Sequence, residues 1–225
     1  MNRLFNRFYN YQGFGPATKS TQPSEEILQY FSDKLPPRLL EYWKEYGFCG
    51  WGDGMFWIVN PADYQQILDL WLAGTNFVGR DNYYVIGRGA FGRLFIWGEK
   101  TGQSLDIETN YAMLFPSDST VELQERGQET SVDLFFATRT KSSMEEEDQQ
   151  GNPLFQKALD KLGPLGADEL YGFVPALALG GANTLKNLQK VKVLEHLAFL
   201  AELGNKKVMS DIVALSNALP HNQKR

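Results

Sequence analysis

Cysteine and histidine are almost absent from this chain of 225 residues. Cys49 is the one cysteine, and His196 and His221 are the two histidines. A structural zinc site usually takes four ligands from cysteine and histidine, so this chain has too few for one. The spacings HExxH and DxDxDG, which mark zinc proteases and calcium loops, are missing as well. We therefore expect no metal and no cofactor, and a single cysteine rules out a disulfide within the chain.

Long hydrophobic runs are missing too. No apolar run approaches the roughly 20 residues of a membrane-spanning helix, so no membrane partner is expected. Arg3, Asn6 and Arg7 interrupt the apolar residues at the amino terminus, which leaves no recognisable signal peptide. A chain with one cysteine and no export signal is expected in a reducing cytoplasm. Hydrophobic residues make up 43% of the sequence, enough to build one large folded domain or two small ones.

Acidic charge is concentrated in one part of the chain. The net charge is −5, and residues 118–148 alone carry nine acids against three basic residues. The polar run 141–152 has no periodicity and ends in turn residues, which predicts an exposed loop. Two interpretations of this loop stay open: a solvated acidic segment, or a patch that steers a basic partner.

The opening 24 residues are basic and aromatic instead. Arg3, Arg7 and Lys19 have no acid among them, a composition that also occurs in nucleic-acid-binding arms. Three charges are too few for that role, and Phe5 and Phe8 fall at a helical spacing that suits a buried core. We expect core packing here and no direct binding of nucleic acid.

Apolar periodicity predicts helices, then strands, then helices, which is the pattern of an α+β protein. Asn60 and Pro61 form a strong helix start, with a capping side chain followed by proline at the first helical position. The first predicted helix is short and begins at Pro23, and the others cover 38–46, 60–74, 153–162, 182–203 and 206–219. The predicted strands cover 55–59, 83–86, 93–97, 104–108, 111–115 and 132–138.

Residues 87–92 spell GxGxxG, the wording of a nucleotide-binding loop. A kinase would also need its lysine strand, HRD loop and DFG motif, and a dinucleotide fold would need a helix at Gly92. The sequence supplies neither, and the strand-like run after Gly92 favours a tight β-hairpin. His196 lies between core-facing leucines and is interpreted as a helix-packing histidine rather than a general base. No catalytic set is recognised, and we expect a protein that is not an enzyme.

Several phrases of the sequence resemble a known bacterial family. LPPRLLEYWKEYG at 35–47, GMFWIVNP at 54–61 and AFGRLFIWGEKTG at 90–102 are similar to the GAD-like domain. DELYGFVPALALGG at 168–181 is similar to the domain that closes these proteins. Together the phrases resemble the immunity proteins of type VI secretion DNase effectors.

The resemblance implies a fold and a layout. The fold is α+β and SUKH-like, a mixed, mainly antiparallel sheet flanked by helices, with a helical carboxy-terminal region. The expected layout is a GAD-like domain at 4–112, a strand-containing acidic connector at 113–152 and a helical immunity-type domain at 153–219, packed with the first as one compact body. Motif residues expected to build this fold are Pro36, Trp43, Gly47, Asn60, Pro61, Trp71, Phe91, Gly92, Tyr171, Gly172, Pro175, Gly180, Gly181 and His196.

The resemblance also implies a function. Such a protein is a bacterial cytoplasmic antitoxin that binds and neutralises the cognate nuclease of its own cell. Two alternatives stay open: a SUKH-like scaffold or regulator that binds another cellular protein, and an enzyme that holds a phosphorylated ligand in the Gly87–Gly92 loop.

Candidate interface residues follow from the charge that a nuclease must carry. A nuclease presents basic residues to phosphates, so its inhibitor gains by presenting acids. The first candidates are Glu145, Glu146, Glu147 and Asp148, and the second are Asp118, Glu122, Glu125 and Glu129. Trp51, beside a glycine-rich turn, is the tryptophan expected to be exposed as an aromatic anchor.

Overall fold

Most of the β-structure forms a single sheet of eight strands. The computed structural model describes residues 2–218. Its strands are β1 (Thr18–Thr21), β2 (Phe48–Trp51), β3 (Phe56–Ile58), β4 (Tyr83–Gly89), β5 (Leu94–Gly98), β6 (Gly102–Glu108), β7 (Met113–Pro116), β8 (Glu169–Phe173), β9 (Leu188–Lys192) and β10 (Lys207–Val208). Its helices are α1 (Arg3–Asn6), α2 (Glu25–Phe31), α3 (Pro37–Tyr46), α4 (Pro61–Leu72), α5 (Thr120–Ala137), α6 (Phe155–Leu162), α7 (Val193–Leu203) and α8 (Ile212–Ala218).

The large sheet is a meander with one added strand. Strands β1 to β7 lie side by side in chain order and pair antiparallel, and β10 returns to pair parallel with β7. Strands β8 and β9 form a separate antiparallel pair. The predicted α+β class, with a mixed and mainly antiparallel sheet, is confirmed.

Local sequence signals account for the first half of the fold. The Asn60 side chain accepts a hydrogen bond from the Ala62 N–H at 3.2 Å, and Pro61 takes the first helical position of α4, as predicted. Residues 87–92 complete β4 and its turn into β5, where the Gly89 N–H donates to the Arg93 carbonyl at 2.8 Å. Gly92 has φ +96°, which glycine adopts at no steric cost, so the predicted hairpin is confirmed.

Three predicted elements in the second half are wrong. The strand predicted at 132–138 lies in α5, because Val132, Phe135 and Phe136 are buried at helical spacing. The long helix predicted at 182–203 is only α7, since residues 188–192 pair with β8 as strand β9. The helix predicted at 206–219 is the short strand β10 followed by α8, and residue 219 lies outside the described residues.

One hydrophobic core runs through both halves of the chain. Phe5 and Phe8 are fully buried within it, which confirms the core interpretation of the aromatic amino terminus. The Trp71 indole N–H donates to the Leu197 carbonyl at 3.2 Å and ties α4 to α7. The buried Arg88 guanidinium donates to the carbonyls of Ala167 and Glu169, both at 2.9 Å. The domain boundaries near 112 and 152 stay a prediction.

None of the helices in residues 2–218 combines the length and apolar character that crossing a membrane requires.

Candidate functional site

The predicted acidic loop is an ordered turn, which we call the acidic turn (residues 145–152). Its first carboxylate caps a helix: Glu145 accepts hydrogen bonds from the backbone N–H groups of Leu154 at 3.1 Å and Phe155 at 2.7 Å. These N–H groups lie at the start of α6, where they have no acceptor within the helix and where negative charge is favoured. Glu145 therefore serves the fold, and its carboxylate is not free for a partner.

Glu146 is also held inside the protein. Its carboxylate accepts a hydrogen bond from the Tyr111 hydroxyl at 2.5 Å and from the Asn183 side chain at 3.4 Å. Burial raises the pKa of Glu146 to about 7, and the nearby carboxylates of Glu108 and Glu145 act in the same direction. Near neutral pH this side chain is therefore only partly charged.

The other two acids of the turn differ from each other. Asp148 accepts hydrogen bonds from the backbone N–H groups of Gln150 and Asn152, both at 2.9 Å, and these bonds close the turn. The bond from Asn152 contributes most to lowering the pKa of Asp148. Glu147 is exposed, and its carboxylate accepts no hydrogen bond from any described residue. Of the four first candidates, Glu147 alone points to solvent with its charge free.

The second group of candidate acids lies just before α5 and along it, and these acids also differ in whether they have partners. Asp118 forms an ion pair with Arg80 at 3.1 Å, and Glu129 forms one with Arg38 at 3.4 Å. Partial burial by itself would raise the pKa of Asp118. Hydrogen bonds from Thr120 and the pairing with Arg80 outweigh this effect, and the pKa is lowered. Glu122 and Glu125, on the first part of the helix before its break at Gly127, form no ion pair within residues 2–218.

Trp51 corrects a prediction. Its side chain has 0% exposure, so the expectation of an exposed anchor is wrong. The ring packs edge-on against Phe8 at 5.4 Å and against Tyr46 at 5.1 Å between centroids. The aromatic amino terminus folds over this side of β2 and covers the tryptophan, a long-range contact that the local glycines do not reveal.

The motif residues sit mainly at packing and turning points. Four bulky motif side chains are buried: Trp43, Trp71, Phe91 and Tyr171. Pro36 and Asn60 take the N-cap positions of α3 and α4, and Pro61 follows Asn60. Gly47 and Gly180 have φ values of +75° and +82°, and a Cβ at Gly181 would lie 1.9 Å from the carbonyl of the exposed Pro175.

His196 packs against one of these glycines. A Cβ at Gly172 would lie 2.8 Å from His196 Nε2, so the glycine makes room for the imidazole. This nitrogen is buried without a hydrogen-bond partner among the described residues, and burial lowers the pKa of His196. A neutral imidazole wedged between α7 and β8 fits a packing role.

The GxGxxG segment offers no space for a phosphate. A Cβ at Gly87 would lie 2.9 Å from the Phe56 ring, and one at Gly92 would lie 2.8 Å from Thr109 Oγ1. Neighbouring side chains therefore occupy the space beside these glycines, and that space is not open to a ligand. Within residues 2–218, no group of three or more histidine, cysteine or acidic side chains is placed to hold a metal ion.

One concave feature was not anticipated. A groove of about 660 Å³ lies between the end of α2, the carboxy-terminal half of α4, the loop 73–82 and the start of β4. Tyr30 and Val78 line it and are 55% and 66% exposed. The buried side chains of Leu72, Phe77 and Tyr83 also line it, which makes its interior apolar.

The polar lining of this groove is acidic. Its charged residues are Asp69 and Asp81, and the described lining contains no lysine or arginine. Asp81 is fixed because it accepts the backbone N–H groups of Lys100 and Thr101, both at 3.0 Å. Asp69 is exposed at the end of α4 and accepts only the Gln65 side chain, at 2.9 Å, from among residues 2–218.

Among the cations near the groove, Lys34 and Arg80 are already paired, and the Lys206 ammonium donates to the Leu70 carbonyl. Lys34 pairs with Asp33 at 3.3 Å and lies 4.1 Å from the centre of the Tyr30 ring. Arg80 pairs with Asp118, which connects the groove to the first turn of α5. We call the groove lining together with Arg80 and Asp118 the groove face. The sequence signal for it was the pair Phe77 and Val78 in a glycine-flanked polar loop, where apolar residues are unexpected.

Comparison with known proteins relates two parts of the chain to known families. The family model of the GAD-like domain matches residues 4–111, and the model of the T6SS immunity protein Tdi1, C-terminal, matches residues 129–204. No curated protein matches. The crystal structure of Atu4351 from Agrobacterium tumefaciens superposes with a TM-score of 0.78 over 87% of this chain and 88% of that chain, at 21% sequence identity, which shows a shared fold. Residues 4–111 are therefore similar to the GAD-like domain, and residues 129–204 are similar to the carboxy-terminal region of the type VI secretion immunity protein Tdi1, as the quoted motifs predict.

Proposed function

We propose that this chain is an immunity protein that binds a cognate nuclease effector of a type VI secretion system and neutralises it in the cytoplasm of the producing cell. The observation that carries the proposal is the match of residues 129–204 to the Tdi1 immunity family. That family supports an immunity role and a protein partner, and the negative charge of this chain extends the proposal to a nuclease. The same match favours binding rather than catalysis as the activity of this chain.

The charge of the protein supports a nuclease as the partner. A nuclease must place arginine and lysine against phosphates, and a net charge of −5 on the inhibitor favours association with such a surface. Among the acids, Glu122 and Glu125 form no ion pair within residues 2–218, and Asp69 accepts only the Gln65 side chain there, so these carboxylates are available to steer it. Acids whose carboxylates are bonded within the protein, such as Glu145, contribute only to the overall electrostatic field.

Co-expression with the neighbouring gene product tests this proposal. The gene next to this one is expressed alone, with this chain, and as a catalytically inactive variant for purification. We expect the neighbour to degrade DNA and arrest growth alone, to be harmless with this chain, and to form a 1:1 complex with it. If no neighbouring product is toxic or binds, the proposal fails.

A further inference from the structure

We infer that the groove between α4 and the loop 73–82 is the docking site for a cationic segment of the partner protein, one that carries arginine or lysine beside an apolar side chain. The inference rests on the proposed function, because it names the surface by which the nuclease is held. It differs from the sequence prediction, which placed the interface on the acidic turn.

The shape of the groove supports a protein segment as its occupant. Its volume of about 660 Å³ is enough to enclose several side chains, within the range of built binding sites. Val78 and Tyr30 leave 66% and 55% of their surface in water at its rim. Burying these side chains against an apolar residue of a partner is favourable, and a tyrosine at the rim of a pocket is a common hot spot of binding.

The charge of the groove determines which segment fits. The Asp69 carboxylate lines the cavity, accepts only the Gln65 side chain, and has no basic residue in the described lining, so a positive side chain gains this carboxylate there. Both oxygens of Asp81 already accept hydrogen bonds from Asn82 and Thr101 and from the Lys100 N–H, so Asp81 adds negative charge to the groove rather than a free carboxylate. An acidic or uncharged segment would gain nothing from these charges. The Tyr30 ring already holds the ammonium of Lys34 at 4.1 Å, which shows that this ring accepts cations on its face.

The neighbouring groups are arranged to keep these acids in place. Asp81 is fixed by the N–H groups of Lys100 and Thr101, so its charge is presented without a cost of ordering. Arg80, which could otherwise turn toward Asp81, is paired with Asp118. The groove is thus lined by apolar side chains in its interior and acidic at its edge, where Asp81 is held in place before a partner arrives.

Two groove variants, each with a matched control, test the inference. Val78→Arg places a positive side chain in the groove, where it repels the cationic segment of the partner. Leu179→Arg makes the same change at a 59% exposed apolar residue of another loop. Asp69→Lys reverses a groove charge, and Glu147→Lys reverses the free charge of the acidic turn. Each variant is checked for an unchanged melting temperature and titrated with the catalytically inactive product of the neighbouring gene.

We expect Val78→Arg to weaken the dissociation constant about 30-fold or more, as at an interface hot spot. Asp69→Lys is expected to slow association about tenfold at low salt, because it removes attraction for the incoming cation. Leu179→Arg and Glu147→Lys should change the dissociation constant by no more than about threefold. Asp69 is an exposed helix residue, so its variant still decides the question if Val78→Arg folds poorly.

Failure of this inference is distinguishable from failure of the proposed function. If the wild type binds and neutralises the nuclease but both groove variants bind equally well, the groove inference is overturned and the function stands. If Glu147→Lys loses binding while both groove variants keep it, the nuclease docks on the acidic turn and the inference is also overturned. If the wild type does not bind the nuclease, the proposed function fails and the inference fails with it.

Discussion

The acidic turn and the groove face both carry carboxylates, but their free carboxylates lie in different surroundings. In the acidic turn, Glu145 caps α6, Glu146 is bonded to Tyr111, and Asp148 closes its own turn. On the groove face, Asp81 is likewise hydrogen-bonded within its own loop, whereas Asp69 is exposed beside a cavity with no basic residue in the described lining. Local density of negative charge therefore does not identify a binding surface; what matters is whether the carboxylates already have partners.

The difference has a physical cause in the backbone. A turn that leads into a helix leaves several N–H groups without acceptors, and nearby carboxylates satisfy them. At the groove, Asp81 accepts hydrogen bonds from N–H groups of the turn between β5 and β6, and the outer surface of the groove remains open. Substitutions in the acidic turn should therefore act on stability, and substitutions at the groove on binding.

A buried tryptophan provides the reference for a pure stability effect, and the largest effect that we expect. Trp51→Ala should lower the free energy of unfolding by about 3–5 kcal/mol, since it leaves a cavity among aromatic rings that pack edge-on against it. Chemical denaturation measures it. At a temperature where the variant is folded, its affinity for the nuclease should equal that of the wild type; a specific loss of affinity would restore Trp51 as an interface residue.

Glu145→Ala should give the next largest change. Removing the acceptor of the Leu154 and Phe155 N–H groups is expected to lower the free energy of unfolding by about 1–2 kcal/mol, the usual effect of losing a helix cap. Urea denaturation measures the change, and Glu147→Ala, two residues away and exposed, is the control. Equal stability of the two variants would contradict the structural role of Glu145.

Glu146→Gln should stabilise the protein in a pH-dependent way. The pKa of Glu146 is raised from 4.5 to about 7, so its favourable contribution is complete below pH 4.5 and is lost as the pH rises through 7. Glutamine stays neutral and still accepts the Tyr111 hydroxyl. We expect the variant to exceed the wild type by on the order of 2 kcal/mol at pH 8 and to match it near pH 4.5.

This difference is measured as the melting temperature of both proteins between pH 4.5 and 8. Acids with lowered pKa values, such as Asp118, destabilise the fold at low pH, but they do so equally in both proteins and cancel. A variant less stable than the wild type at pH 8 would show that the charged form of Glu146 is the one that the turn needs.

The smallest effect on stability should come from the free acids of α5. Glu122→Gln with Glu125→Gln is expected to change the free energy of unfolding by no more than about 0.5 kcal/mol, because neither side chain has an ion-pair partner within residues 2–218. The double variant should associate a few-fold more slowly with the nuclease at low salt and equally fast at high salt. Stopped-flow mixing at two salt concentrations measures this, and identical rates would remove α5 from the steering surface.

Local patterns predicted those parts of the fold whose causes are local. Asn60 and Pro61 begin α4, and the glycines at 87–92 make the hairpin, because a cap, a proline and a positive φ act within a few residues. Strand β9 could not be found in this way. Its Leu188 and Val191 continue the leucine spacing of α7, and only pairing with β8 some 20 residues earlier makes them a strand.

The candidate site was harder to predict than the fold for a similar reason. The groove joins Tyr30 to residues 69–84, and no periodicity links the two segments. Whether an acid is free depends on distant partners: Tyr111 for Glu146, and Arg38 for Glu129. The sequence could show that the protein is acidic and which family it resembles, but the availability of each charge is a property of the folded chain.

Hydrogen–deuterium exchange of this chain, free and bound to the inactive nuclease, is the most direct test of the contrast between the two acidic regions. We predict that the nuclease slows exchange of the backbone amides in the loop 73–82 and around Tyr30, while the amides of the acidic turn exchange at the same rate in both states. Protection confined to residues 145–152, with unchanged exchange in the loop 73–82, would contradict the account.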